Sequence, residues 1–212
     1  MFTKFAIYIL NLMGMKAEEI LFFDKLSESW DEEEMLSTKD KVREIINLSG
    51  VSKGMKILDL GTGTGILIPY LIEKIGDEGR IKAVDISSGM LSKAEKKYGH
   101  FDNVDFELKD FENSEIEGKY NLIFLYCVYP HLHEPMNTLR KLMERNLDAD
   151  GKIIIAFPTD EHFINNIHKE KKAESDLLPS AHLLVKMLNS RGFNSRVVAY
   201  NPTTYIVELI RN

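Results

Sequence analysis

The stretch Met55-Lys56-Ile57-Leu58-Asp59-Leu60-Gly61-Thr62-Gly63-Thr64-Gly65 constrains the fold of this chain more than any other. It opens as a short apolar run, the pattern of a strand buried on both faces in a parallel sheet. It breaks into a turn with glycine at every second position, then continues as Ile66-Leu67-Ile68-Pro69-Tyr70-Leu71-Ile72, which reads as a helix. A strand, a glycine turn and a helix in succession form the nucleotide cradle of a doubly wound sheet. Glycine lets the backbone turn tightly and leaves room for a ligand to touch the main chain. A dinucleotide fingerprint of the form G-x-G-x-x-G would place glycine at position 66; Ile66 stands there, and the glycines fall as G-x-G-x-G.

The next strand, Arg80-Ile81-Lys82-Ala83-Val84-Asp85, ends on an acid twenty residues beyond Gly65. An acid at that offset is placed to take ribose hydroxyls and disfavours a 2′-phosphate. The expected ligand is therefore an adenosine or a related ribonucleoside without that phosphate.

Ile57-Leu58-Asp59-Leu60-Gly61-Thr62-Gly63-Thr64-Gly65, followed by Ala83-Val84-Asp85-Ile86-Ser87, resembles the class I methyltransferases that use S-adenosylmethionine (SAM). The resemblance implies an α/β fold, a doubly wound, mostly parallel seven-stranded sheet with its last strand antiparallel. It also implies roles. Asp59 would lie near the methionine ammonium group. Gly61, Thr62, Gly63 and Gly65 would line the methionine and ribose, and Asp85 would hold the ribose. Ile86 would pack on adenine, and Met90 either joins it or belongs to the core. Asp110 would accept from the adenine amino group while the Phe111 backbone nitrogen donates to the ring, a pairing that suits adenine. Tyr126, closing the fourth strand, completes the expected cofactor set.

At 212 residues the chain fits one ordinary domain, and 44% hydrophobic with 28% charged residues marks it as globular. The resemblance covers roughly residues 40–212, which leaves 1–39 as an N-terminal helical cap. Within it, Phe22, Phe23, Leu26 and Trp30 recur at helical spacing, and Phe23 or Trp30 is a candidate roof over the cofactor. The apolar stretch Phe5–Met15 is too short to span a bilayer and is followed by no A-x-A cleavage site. It reads first as a docking or dimer-forming helix, then as an extension upstream of a start at Met15, then as a membrane-surface helix. A formal net charge of −6 argues against nucleic acid as a partner, and the single cysteine, Cys127, excludes an internal disulfide. A cytoplasmic setting is expected, with no stable membrane insertion.

Downstream, Ser87 or Ser88 caps a helix, Asn103–Lys109 alternates as a strand, Tyr120–Cys127 is a buried strand, and Pro135 opens a helix. The expected inward residues are Met136, Leu139, Leu142, Met143 and Leu147 after Pro135, and Leu183, Leu184, Met187 and Leu188 in the later helix. Pro158–Pro179 interrupts the alternation and reads as a lid, binding loop or small insert. Ser195–Tyr200 and Tyr205–Ile210 read as a closing hairpin.

SAM carries its own activated methyl group, so the protein need only align a nucleophile and exclude water; an acceptor that must lose a proton also wants a base. The candidates just past the fourth strand are His131, Tyr129, Cys127 and His133, with His131 the expected base and Tyr129 beside it. His133 and His162 read as surface residues, and Cys127 as a packed thiol. Relatives sharing the Pro130-His131 segment would carry a histidine near the end of the fifth strand, where this chain has Phe157. No metal is expected: His131, His168 and Asp176 offer two imidazoles and a carboxylate, but they are scattered rather than at ligand spacing. The expected activity is methylation of a small molecule. The alternatives are a protein or quinone-type carbon acceptor, or a SAM-binding regulator without chemistry.

Overall fold

The computed structural model describes residues 21, 24–25, 39–170 and 177–211. The expected docking helix near the N-terminus, the roof residues Phe23 and Trp30, and most of the cap lie outside them.

In chain order the elements are α1 (Lys39–Leu48), β1 (Lys56–Leu60), α2 (Ile68–Ile75), β2 (Arg80–Asp85), α3 (Ser88–Tyr98), β3 (Val104–Leu108), β4 (Tyr120–Tyr126), α4 (Pro135–Arg145), β5 (Leu147–Phe157), α5 (Glu161–Glu170), α6 (Ala181–Ser190), β6 (Asn194–Asn201) and β7 (Thr204–Ile210). The strands form one seven-stranded sheet in the order β3-β2-β1-β4-β5-β7-β6. All neighbours are parallel except β7, which runs antiparallel to both β5 and β6. The expected architecture is the one found.

Burial explains the layers. Side chains alternate faces along a strand, so Ile57 of β1 and Leu122, Phe124 and Tyr126 of β4 pack with Val42, Ile45 and Ile46 of α1 and Leu67, Ile68 and Leu71 of α2. The opposite set, Leu58, Leu60, Ile123, Leu125, Ile153 and Ile155, packs with Leu139 and Leu142 of α4 and Leu184 and Leu188 of α6. The chain winds outward from β1 in both directions, so the switch point lies between β1 and β4. In open α/β sheets the crevice beyond the carboxyl ends of such strands is where ligands bind.

Three local readings shift. The helix after the glycine turn starts at Ile68, because Thr62–Leu67 is still turn. Leu147 begins β5 rather than ending α4: it pairs with Tyr120 across a bulge. On α6 the buried stripe is Ala181, Leu184 and Leu188, leaving Leu183 and Met187 exposed. Ser87, not Ser88, caps α3, its hydroxyl accepting from Met90 N at 3.1 Å. The Pro158–Pro179 segment contains α5, and the Asn165 side chain brackets the Leu178 main chain: its Nδ2 donates to Leu178 O at 2.9 Å and its Oδ1 accepts from Leu178 N at 2.8 Å.

Candidate active site

The glycine turn is fastened to β2. The Gly61 and Thr62 amides both donate to the Val84 carbonyl, at 2.8 and 3.0 Å. Gly61 has φ 68°, and a Cβ there would sit 2.4 Å from Val128 Cγ2, so any side chain would collide with the turn after β4. Gly63, at φ 56°, is different: a Cβ would meet nothing within 4 Å. Its main chain faces open space, the room a ligand needs to lie against the backbone.

Two acids flank this turn on the same sheet face as α2. Asp59 is 1% exposed and its Oδ2 accepts from Thr62 Oγ1 at 2.7 Å. Burial pushes its carboxyl up to about 7, the Thr62 hydrogen bond partly offsets this, and the neighbouring Asp85 charge adds to it. Asp85 braces the cradle as well as facing it. Its Oδ2 accepts from Gly63 N at 2.7 Å and its Oδ1 from Ser87 N at 2.8 Å. Each oxygen keeps a second lone pair for a ribose hydroxyl. Burial raises the Asp85 carboxyl and its main-chain donors lower it, with Asp24 raising it further.

Sequence reasoning missed Asp24. Its Oδ1 accepts from the Ser87 hydroxyl and from Gly89 N at 2.9 Å, so the chain ahead of α1 is bonded to the start of α3, two residues from Asp85.

After β3, Lys109 N donates to Asp85 O at 2.9 Å and brings Asp110 and Phe111, the residues expected to meet adenine, close to Asp85. Asp110 is itself engaged: Oδ1 accepts from Glu112 N at 3.1 Å and Oδ2 from Asn113 Nδ2 at 2.8 Å, an Asx-type turn. Ile86 is half-buried at this edge and Met90 is buried on α3.

On the other side of β1, Cys127 has φ 58° at the end of β4, the one non-glycine residue in the left-handed region among the described residues. Such strain persists where surrounding structure over-determines it, often at functional sites. Cys127 N still bonds Ala156 O at 2.9 Å, and the chain then turns so that Val128 covers Gly61. The Cys127 thiol is pushed up to about 12 by burial, which leaves it inert as a nucleophile. A 3-10 turn, Tyr129–His131, follows, placing both expected catalytic residues at the rim. Burial pushes the Tyr129 hydroxyl up to about 12, so it does not act as a base near neutrality. His131 is half-buried.

His133 is not a loose surface residue. Glu112 accepts from its amide at 3.1 Å and lies 3.2 Å from its ring Nδ1, and the same carboxylate accepts from Thr138 Oγ1 at 3.2 Å. His162 is exposed, as expected. The side chain of His168 and all of Asp176 lie outside the described residues. Further along the rim, the Tyr200 hydroxyl donates to the buried Glu161 carboxylate at 2.7 Å, and Tyr205 stacks edge-on against Phe157 with ring centroids 5.5 Å apart. Glu161, Tyr200 and Tyr205 carried no motif in the sequence.

A G-x-G-x-G turn between β1 and α2, acids after β1 and β2, and an antiparallel β7 between β5 and β6 define the class I methyltransferase architecture. Comparison with known proteins agrees. A family model described as "Methyltransferase domain" matches residues 51–192. The malonyl-[acyl-carrier protein] O-methyltransferase of Acetivibrio thermocellus is 33% identical over 119 residues, 56% of this chain and 40% of that protein. The ubiquinone/menaquinone biosynthesis C-methyltransferase of Idiomarina loihiensis is 29% identical over 117 residues, covering 53% of this chain and 46% of the relative. The chain thus aligns with less than half the length of these two curated relatives. A SAM-dependent methyltransferase structure from Aquifex aeolicus shares the fold, with a TM-score of 0.67 at 22% identity over 90% of this chain and 97% of that one. The chain belongs to the methyltransferase domain family. No helix among the described residues is long and apolar enough to cross a membrane.

Proposed function

We propose that this chain transfers the SAM methyl group to a small-molecule acceptor. The observation that carries the reading is the open Gly63 main chain, braced by Asp85 and flanked by Asp59, with a turn bearing His131 directly across β4. SAM supplies an activated methyl on a sulfonium. In the step, the acceptor's lone pair forms a bond to the methyl carbon as the carbon–sulfur bond breaks, and the electron pair stays on sulfur. Asp59 and Asp85 hold the cofactor's ammonium and ribose. His131 takes the proton an amine, thiol or hydroxyl acceptor must lose. Tyr129, protonated at neutral pH, serves as a hydrogen-bond donor rather than as a base. The relatives' names include one oxygen and one carbon methylation, so the family does not fix the acceptor atom; the His131 rim favours an acceptor that ionises. A reducing, cytoplasmic setting suits a chain with one unpaired cysteine.

His131→Ala tests this. Calorimetry should give the variant the same SAM affinity as the wild type. Methyl transfer, screened over thiols, amines and phenols by release of S-adenosylhomocysteine, should fall by about a hundredfold, the lower end for loss of a general base. Equal turnover would reduce His131 to a structural residue. SAM binding without transfer to any acceptor class would favour a SAM-binding regulator.

A further inference from the structure

The outer side of α4 carries a charge pattern that methyl transfer does not use. Thr138, Leu139 and Leu142 turn inward, and at helical period the opposite face presents Asn137, Arg140, Lys141, Glu144 and Arg145. A surface cavity of about 470 Å³ lies along that face, walled by Asn113 and Glu115 of the turn after β3. A smaller one of about 190 Å³ shares Arg140 and Glu144 with it and extends to Phe193 and Arg211. Together they are lined by four cations, Arg140, Lys141, Arg145 and Arg211, and two acids, Glu115 and Glu144. The chain as a whole has a formal net charge of −6, so the sign of this groove is opposite to that of the molecule.

The partners of these cations leave most of their charge uncancelled. Arg140 Nη2 donates to Arg191 O at 3.2 Å, Lys141 Nζ to Ser114 O at 2.5 Å, and Arg211 Nη2 to Met143 O at 2.7 Å. Carbonyls hold these side chains in place but carry no formal charge, and a guanidinium has five N–H groups to offer. Of the four, Arg145 alone meets a carboxylate among the described residues, that of Glu115. Both members of that pair are more than half exposed, where an ion pair contributes little. The helix dipole accounts for Arg145 in the last turn, but its effect fades before Arg140 and Lys141. Lys141 and Arg145, four residues apart, repel each other along the helix, a cost that an anion lying between them removes.

We infer that this groove binds a small ligand bearing a chain of phosphoryl groups. Arginine forks match phosphoryl oxygens two at a time. Cations spaced a turn apart favour a polyanion over a single carboxylate, because each needs negative oxygens of its own. The site lies outside the glycine cradle, on the face of α4 turned away from the sheet.

The probe is inorganic tripolyphosphate, titrated by calorimetry into the 212-residue chain in the presence of saturating S-adenosylhomocysteine, so that the glycine turn is occupied. Binding should be submillimolar at low salt and weaken as salt rises. Arg140→Gln and Arg145→Gln should each weaken it by about fivefold, the scale of an exposed charge contact. Glu144→Gln should strengthen it, a reversal of sign that a folding defect does not produce. Hydrogen exchange should slow at residues 111–115 and 140–145 when the probe is added. Uridine triphosphate identifies the source of the phosphoryl chain. An affinity equal to that of tripolyphosphate means that the chain alone is recognised. A tighter one means that the Arg140 guanidinium, 5.2 Å from the Phe193 ring centroid, stacks on the organic part as well. No binding, an affinity that all three variants leave unchanged, or protection confined to the glycine turn overturns the inference.

Discussion

Asp59 is a carboxyl group kept where water cannot reach it. Its ordinary value of 3.8 is raised to about 7 in the folded chain, chiefly by burial. The folded state therefore holds a proton that the unfolded chain releases. The stability this contributes is complete below the ordinary value and is lost as pH rises through about 7. Asp59→Asn should flatten that dependence, so that the ligand-free variant melts higher than the wild type at pH 8 and the gap narrows toward pH 5. The same change should weaken SAM by about tenfold or more by removing the charge opposite the ammonium. Melting curves from pH 5 to 8 and calorimetry at pH 8 check both halves; equal melting at pH 8 would mean that Asp59 is ionised without cost. The residues of this cradle were legible in the sequence because their chemistry is local: Asp59, the glycines and Thr62 fall within a few positions, and Asp85 at a fixed offset. Asp24 with Ser87, Glu112 with His133 and Glu161 with Tyr200 meet across 63, 21 and 39 residues. No spacing along a chain announces a pair that only the finished sheet brings together.

Among the elements, α5 and α6 were the least legible. Leu183, Leu184, Met187 and Leu188 form an apolar stripe wide enough to face inward in more than one rotation. The packing of α6 on β6 and β7 chose Ala181, Leu184 and Leu188. The strands, by contrast, are legible to within about a residue except at the start of β5, where Leu147 reads as the end of the preceding helix, since short apolar runs bounded by glycine, asparagine or proline admit few alternatives. Between β5 and α6 the Asn165–Leu178 bracket is what returns the chain to the sheet, together with the Tyr205 hydroxyl donating to Pro179 O at 3.2 Å. Asn165→Ala should cost about 1–2 kcal/mol, the loss of two hydrogen bonds to main chain. It should also speed hydrogen exchange at the Leu178 amide while leaving β1 amides unchanged at matched stability. Unchanged exchange at Leu178 would mean that the bracket contributes nothing to closing the segment.

At the scale of the molecule, the two faces of one sheet are covered separately: α1 and α2 pack on the face that carries Asp59 and Asp85, and α4 and α6 on the other. The antiparallel insertion of β7 is fixed by more than its ladder. Glu208, 4% exposed on β7, lies 3.0 Å from Lys152 Nζ on β5 and 2.9 Å from Arg196 Nε on β6, a charge clamp across three strands. The span matched by the family model, residues 51–192, ends before β6 begins at Asn194. A fragment cut to that span would lose α1, β6 and β7 together and leave β5 as a bare edge. Ile153, Ile154, Ile155 and Phe157 would then stand at a rim of unpaired amides and carbonyls, the kind of strand that recruits its own copies. Such a fragment should scatter light and elute in the void of a sizing column under conditions where the 212-residue chain does not; a monodisperse fragment would show that β5 tolerates an open edge. The last eighteen residues of the described chain thus act as an internal guard against self-association, a task separate from methyl transfer.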